Sequence, residues 1–260
     1  MDFRVGDLVT RISHNHDILF KIVNFEGNVV FLKGVDLRLY ADSSVDDLVK
    51  ATPSNPDSDK KIIEQNVRDI KIDRSQYFYL PGKILHIDGD SEYLERCMRF
   101  YHDMNVKANG ITLAEVDMPN KIVGLLNEYR PDIVVVTGHD AYYAKKSDIK
   151  DLNNYQNTIN FIDAVKAARK YEKSQDKLII VAGACQSNYE ELIKAGANFA
   201  SSPKRINIHA LDPAIIASSL ALSDKNQSID LIHLIEKTKY GKDGMGGIIT
   251  NGTMYVGYPR

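Results

Sequence analysis

A chain of 260 residues, 43% hydrophobic and 26% charged, is long enough to bury one sizeable core and to carry a small extra unit. Its formal charge of −2 supplies no broad basic field, which argues against nucleic acid as the main partner, and no apolar run approaches the ~20 residues of a membrane-spanning helix. The two cysteines, Cys97 and Cys185, stand in helix-like and strand-end contexts with no signal-like segment ahead of them, so a reducing cytoplasm is expected and a disulfide framework is not.

Residues 1–50 read as short strands over 3–11, 18–23, 28–32 and 37–40, with alternating polarity and turn residues such as Glu26-Gly27-Asn28 between them. The opening Val5-Gly6-Asp7-Leu8-Val9 looks like the first strand of SH3-like barrels, so a small all-β docking or regulatory unit is expected here. His14 and His16 make an isolated H-x-H pair, far short of a zinc ligand set, and no metal or cofactor is expected. Across 51–76 the composition turns to proline, serine and charge, the mark of a polar linker, and Arg68 and Arg74 lie in it open to proteolysis.

From 77 to 260 strand and helix patterns alternate, which predicts right-handed βαβ units and a mostly parallel sheet with flanking helices. A strand at 83–88 ends in Asp88-Gly89-Asp90. The helix after it carries Leu94, Cys97, Met98 and Tyr101 on one face, which makes Cys97 a core thiol. A strand at 106–112 and a helix at 119–129 lead to the apolar run Ile133-Val134-Val135-Val136-Thr137, which stops at Gly138-His139-Asp140. Residues 140–146 are aromatic and polar enough to line a substrate groove, and 158–171 is the crossover helix. The second apolar run, Leu178-Ile179-Ile180-Val181-Ala182, stops at Gly183-Ala184-Cys185. Helix 189–195 ends at Gly196, a short strand follows at 198–203, and an amphipathic segment spans 229–240. A hairpin with an Asn251-Gly252 turn closes the chain over 246–257.

Two buried-strand patterns ending in histidine and cysteine put both side chains at the carboxyl rim of the sheet, where ligands of open α/β sheets collect. An imidazole beside a thiol stabilises the thiolate and creates a nucleophile. His139 precedes Cys185 by 46 residues, near the roughly 50-residue spacing of caspases. In this reading Cys185 attacks a peptide carbonyl and His139 supplies the proton. Backbone N–H groups of Gly138, Asp140 and Cys185 hold the oxyanion. The Asp140 carboxylate could orient the imidazole. Asp88 and Asp90 sit on the same rim, where either carboxylate could hold a basic substrate side chain, or serve only as turn and helix cap; the sequence leaves both open. A bland alternative treats Cys185 as a buried core thiol.

The blocks ending in His139 and Cys185, with histidine first, resemble the caspase-hemoglobinase fold of cysteine peptidases, although glycine usually follows the histidine there and here Gly138 precedes it. A closer likeness is to the YabG family of sporulation-specific proteases. It rests on Val5-Gly6-Asp7, Pro81-Gly82-Lys83, His86-Ile87-Asp88-Gly89-Asp90, Thr137-Gly138-His139-Asp140-Ala141, Ala182-Gly183-Ala184-Cys185-Gln186-Ser187 and Gly196-Ala197-Asn198-Phe199-Ala200-Ser201-Ser202-Pro203. That resemblance implies a cysteine endopeptidase of endospore-forming bacteria, located in the mother cell or at the spore coat. It would trim spore coat proteins or germination precursors next to arginine and process itself. Cys185 would be its nucleophile and His139 its general acid/base. The competing classes are a non-catalytic coat-assembly scaffold that binds peptides and a thiol acyltransferase.

Overall fold

Val9, Phe20, Ile22, Val30 and Leu32 are fully buried and alternate with more exposed neighbours, so the first fifty residues close a small core of their own. In the computed structural model, which describes residues 3–52, 58–68, 76–143 and 148–259, these side chains lie on five strands: β1 (Leu8–Arg11), β2 (Phe20–Glu26), β3 (Val29–Gly34), β4 (Tyr40–Ser44) and β5 (Leu48–Lys50). They form one antiparallel sheet in the order β4-β3-β2-β1-β5. Of the strand expected at 37–40 only Tyr40 belongs to it, because β4 begins there. Gly34 N–H bonds the Leu39 carbonyl at 2.6 Å and closes a tight loop. A methyl group on Gly34 would lie 2.3 Å from the Leu37 oxygen, so the turn requires glycine. Leu37 instead pairs, antiparallel and alone, with His209 of the second sheet's periphery.

Helix α1 (Ser58–Arg68) occupies part of the expected linker. It docks because Ile62 and Ile63 pack on the main core and Asp59 accepts two bonds from Arg96, both 2.8 Å. Residues 53–57, 69–75 and 144–147 lie outside the described residues, and with them Arg74, Lys145, Lys146 and the side chain of Arg68.

The second sheet is built from β7 (Ile84–Asp88), β8 (Ala108–Thr112), β9 (Ile133–Thr137), β10 (Ile179–Ala182), β11 (Phe199–Ser201) and β12 (Met245–Gly247), after the short β6 (Phe78–Leu80). Its order is β12-β11-β10-β9-β7-β8, parallel except for β12. Every residue of β7, β9 and β10 is buried, and their alternate side chains feed two cores. One face carries α2 (Ser91–Asp103), α6 (Asp212–Ala221) and α7 (Leu231–Glu236). The other carries α3 (Met118–Tyr129), α4 (Thr158–Tyr171) and α5 (Tyr189–Ala195). The architecture is therefore α/β with a mostly parallel sheet between helices.

The expected closing hairpin does not form. The strand β12 pairs with β11, and β13 (Tyr255–Gly257) pairs with β6. Each half has a better partner than the other half: Ile248 N–H bonds the Asn198 carbonyl at 2.9 Å, and Gly252 fits so closely that a methyl group would meet the Ser223 oxygen at 2.0 Å.

Candidate active site

The chain enters the second sheet at β7, steps outward to β8, and returns to the other side of β7 as β9. Such a switch in direction leaves a crevice at the carboxyl ends of the strands. Asp88, Gly89 and Asp90 lie at the end of β7, Gly138 and His139 follow β9, and Cys185 follows β10, which pairs Ala182 with Val136 of β9. All the residues expected to carry chemistry therefore lie at one rim.

His139 is fixed from three sides. Its Nε2 is 2.9 Å from Asp90 Oδ2, its backbone N–H donates to Glu115 Oε1 at 2.8 Å, and its carbonyl accepts from Asn157 Nδ2 at 2.9 Å. Tyr40 and Tyr93 lie against the ring, with centroids 4.5 and 5.7 Å away. Burial opposes ionisation of Asp90, but its bonds from His139 and Lys33 override this and hold the carboxyl well below its ordinary range. A carboxylate accepts, so Nε2 carries the proton and the buried, unpartnered Nδ1 is the atom left to exchange one. Asp90 also caps α2, accepting from the Glu92 and Tyr93 N–H groups at 2.9 and 3.2 Å.

Asp140 does not orient the imidazole. Its carboxylate accepts from Ser187 Oγ at 2.8 Å, from the Asn157 N–H at 2.7 Å and from the Thr158 hydroxyl. Ser187 Oγ in turn accepts the Ala184 N–H at 2.9 Å, so Asp140 ties the turn after β9 to the turn that presents Cys185. Gly183 opens that turn at φ +98°, a left-handed conformation with Ser201 Oγ where a Cβ would stand. Cys185 itself is fully buried, and burial pushes its thiol up to about 12. Its sulfur accepts the Ile208 N–H at 3.2 Å.

Beside it lies Arg38, a fully buried arginine contributed by the loop between β3 and β4. Nη1 bonds Asp88 Oδ2 at 2.7 Å, Nε and Nη2 bond the Ala210 carbonyl at 3.2 and 3.0 Å, and Nη2 meets Cys97 Sγ at 3.5 Å. Burial alone would lower the Arg38 pKa, but Asp88 raises it further, so the guanidinium stays charged. Of the two carboxylates considered from sequence, Asp88 therefore faces a guanidinium, whereas Asp90 faces Lys33, 2.6 Å away, and His139. Cys97 lies in the core as expected but also lines this pocket, its thiol pushed up to about 12 by burial.

Asp212 anchors the segment 208–210, accepting from the N–H groups of His209 at 2.8 Å and Lys239 at 2.9 Å. Burial pushes its carboxyl up to about 6 despite these bonds. The folded state then binds a proton between about pH 4 and 6 that the unfolded chain has released, so stability should fall as pH rises through that window. A loss on the order of 1–3 kcal/mol is expected between pH 4 and 7. Melting curves should lose that slope in Asp212→Asn, and an unchanged slope would rule Asp212 out as its source.

A family model described as YabG peptidase U57 matches residues 4–259. The chain belongs to the YabG peptidase family. The sporulation-specific protease YabG of Bacillus subtilis (strain 168) is 40% identical over 286 aligned positions that cover 100% of this chain and 99% of the relative. No solved structure matches the chain.

Arg38, Tyr93 and Glu115 are members of this candidate site that a reading of the sequence misses. Burial pushes the Tyr93 hydroxyl up, and it donates to the carbonyls of Gly34 at 2.6 Å and Leu37 at 2.8 Å. Glu115 lies far from both strand ends in sequence, and only the glycines around it hint at its presence. A methyl group on Gly89 or Gly138 would approach its Oε1 to 2.2 or 2.4 Å. In Gly138→Ala the Glu115 side chain can swing away at a cost of about 1–3 kcal/mol, but His139 then loses its backbone anchor. Peptidase activity should fall several-fold more than thermal stability predicts, and parallel losses of the two would mean that Glu115 has no positioning role.

Proposed function

We propose that the chain is a cysteine endopeptidase acting in sporulation, which cuts spore coat or germination-related protein precursors next to arginine. His139 Nδ1, which has no hydrogen-bond partner in the structure, takes the proton of the Cys185 thiol once the sulfur turns from Ile208 toward it, and Sγ attacks the scissile carbonyl carbon. The N–H groups of Gly138, Asp140 and Cys185 stabilise the resulting oxyanion. His139 returns the proton to the leaving amine, and water then hydrolyses the thioester. Asp90 holds the imidazole in the required tautomer, and Asp88 receives the guanidinium of the substrate arginine.

What carries this reading is the convergence on one rim of Asp88, His139 and Cys185 from three neighbouring parallel strands. The same strand order supports a caspase-hemoglobinase-like assignment for 77–260. The five short antiparallel strands support an SH3-like unit at 1–50, joined through 51–76, where self-cleavage at Arg68 or Arg74 belongs. We place the protein in the mother cell, associated with the coat. The test is incubation of wild type, Cys185→Ala and His139→Ala with an arginine-containing coat protein. Only the wild type should process it, and equal processing by all three would end the proposal.

A further inference from the structure

We propose that the chain's own segment Asp36–Leu39 lies in the track that a substrate peptide uses, with Arg38 in the arginine pocket, and holds the enzyme closed until it is displaced. This inference rests on the endopeptidase reading above.

The segment docks as an added strand does. Arg38 N–H donates to the Ile208 carbonyl at 3.2 Å, and the Ala210 N–H donates to the Asp36 carbonyl at 3.0 Å, so that Leu37 faces His209 in antiparallel register. Main-chain pairing of this kind binds extended peptides without regard to most side chains, while pockets between strands read particular ones. Here one side chain is read. Arg38 is fully buried, its guanidinium shared between Asp88 and the Ala210 carbonyl.

The track passes the candidate nucleophile. Ile208 accepts the Arg38 N–H through its carbonyl, gives its own N–H to Cys185 Sγ, and lies 3.9 Å from that sulfur through the same carbonyl. The flanks of the segment cover the rest of the machinery. Lys33 pairs with Asp90, Tyr40 lies against the His139 ring, and Tyr93 clasps the Gly34 and Leu37 carbonyls. An arginyl peptide and this segment make the same contacts and exclude each other. A surface loop has no other evident reason to bury an arginine: such pairs contribute little net stability compared with apolar packing.

Two measurements test this. An arginyl acyloxymethyl ketone should alkylate Cys185 of folded Arg38→Ala at least tenfold faster than Cys185 of wild type. A synthetic peptide spanning Val35–Tyr40 should slow that labelling, whereas its Arg→Ala version should not. Because Arg38→Ala leaves Asp88 unpaired, the second arm keeps the native segment. Amide exchange is followed in Cys185→Ala with and without excess arginyl peptide. The Arg38 N–H should lose protection when the peptide is present, while the Ala210 N–H stays slow because the peptide carbonyl replaces that of Asp36. Equal, measurable labelling of Cys185 in both proteins, or an Arg38 amide that stays protected with the peptide saturating, would overturn the proposal. Displacement in the exchange arm without Cys185-dependent turnover in any variant would instead remove the cysteine mechanism and leave the peptide track standing.

Discussion

Cys185→Ala and His139→Ala should each lower kcat for an arginyl peptide by about 10³-fold or more, since in the proposed mechanism the sulfur and its proton partner act as a unit. The double variant should be scarcely worse than either single one, because a thiol without its base is as inert as no thiol. Stability should separate the two residues. Cys185 Sγ accepts the buried Ile208 N–H, so alanine leaves that donor unsatisfied at a cost of about 1–3 kcal/mol. Cys185→Ser keeps an acceptor there, so it should recover stability while remaining inactive. A serine variant retaining more than a tenth of wild-type turnover would show that the nucleophile lies elsewhere.

What the residues disclosed and what they concealed divide along one physical line. Runs such as 133–136 and 178–182 signal buried strands because every position is apolar, and strands of that kind pair in parallel and end at a common rim. Helices 158–171 and 189–195 have the bounds expected of them, since their apolar spacing and the Gly196 stop are local features. Segment 37–40 and the end of the chain depart from their local pattern because alternation and an Asn-Gly pair specify extended or turning chain, not which partner it takes. Leu37 found His209, and β12 and β13 found β11 and β6. Glu115 and Arg38 were hidden for a related reason. A single charged residue between apolar neighbours, as in Leu37-Arg38-Leu39 or Ala114-Glu115-Val116, reads as the solvent side of its segment, and its burial depends on a carboxylate or amide supplied from far along the chain. Asp88 and Asp90, ambiguous as a pair in sequence, separate once one is seen to face a guanidinium and the other an imidazole.

That separation yields the second large effect. Asp88→Asn should destabilise the protein by about 3–5 kcal/mol, the usual result of removing one partner from a buried ion pair, because Arg38 and Asp88 are both fully buried. An asparagine oxygen can accept one bond, but its amide hydrogens face a group that is also only a donor, so the fork is left half satisfied. Replacing both residues by apolar ones of similar volume, as in Arg38→Met with Asp88→Leu, should restore much of the loss, since the desolvation cost then vanishes from both sides. In catalysis Asp88→Asn should cut kcat/KM for arginyl substrates about 10–100-fold relative to neutral ones, the worth of one charged hydrogen bond. Asp90→Asn should do the reverse. It should spare discrimination and lower kcat for every substrate, because its carboxylate contacts the imidazole and Lys33 instead of the guanidinium. Discrimination unchanged in Asp88→Asn would move the arginine pocket away from the end of β7, and with it the explanation for a buried arginine beside Cys185.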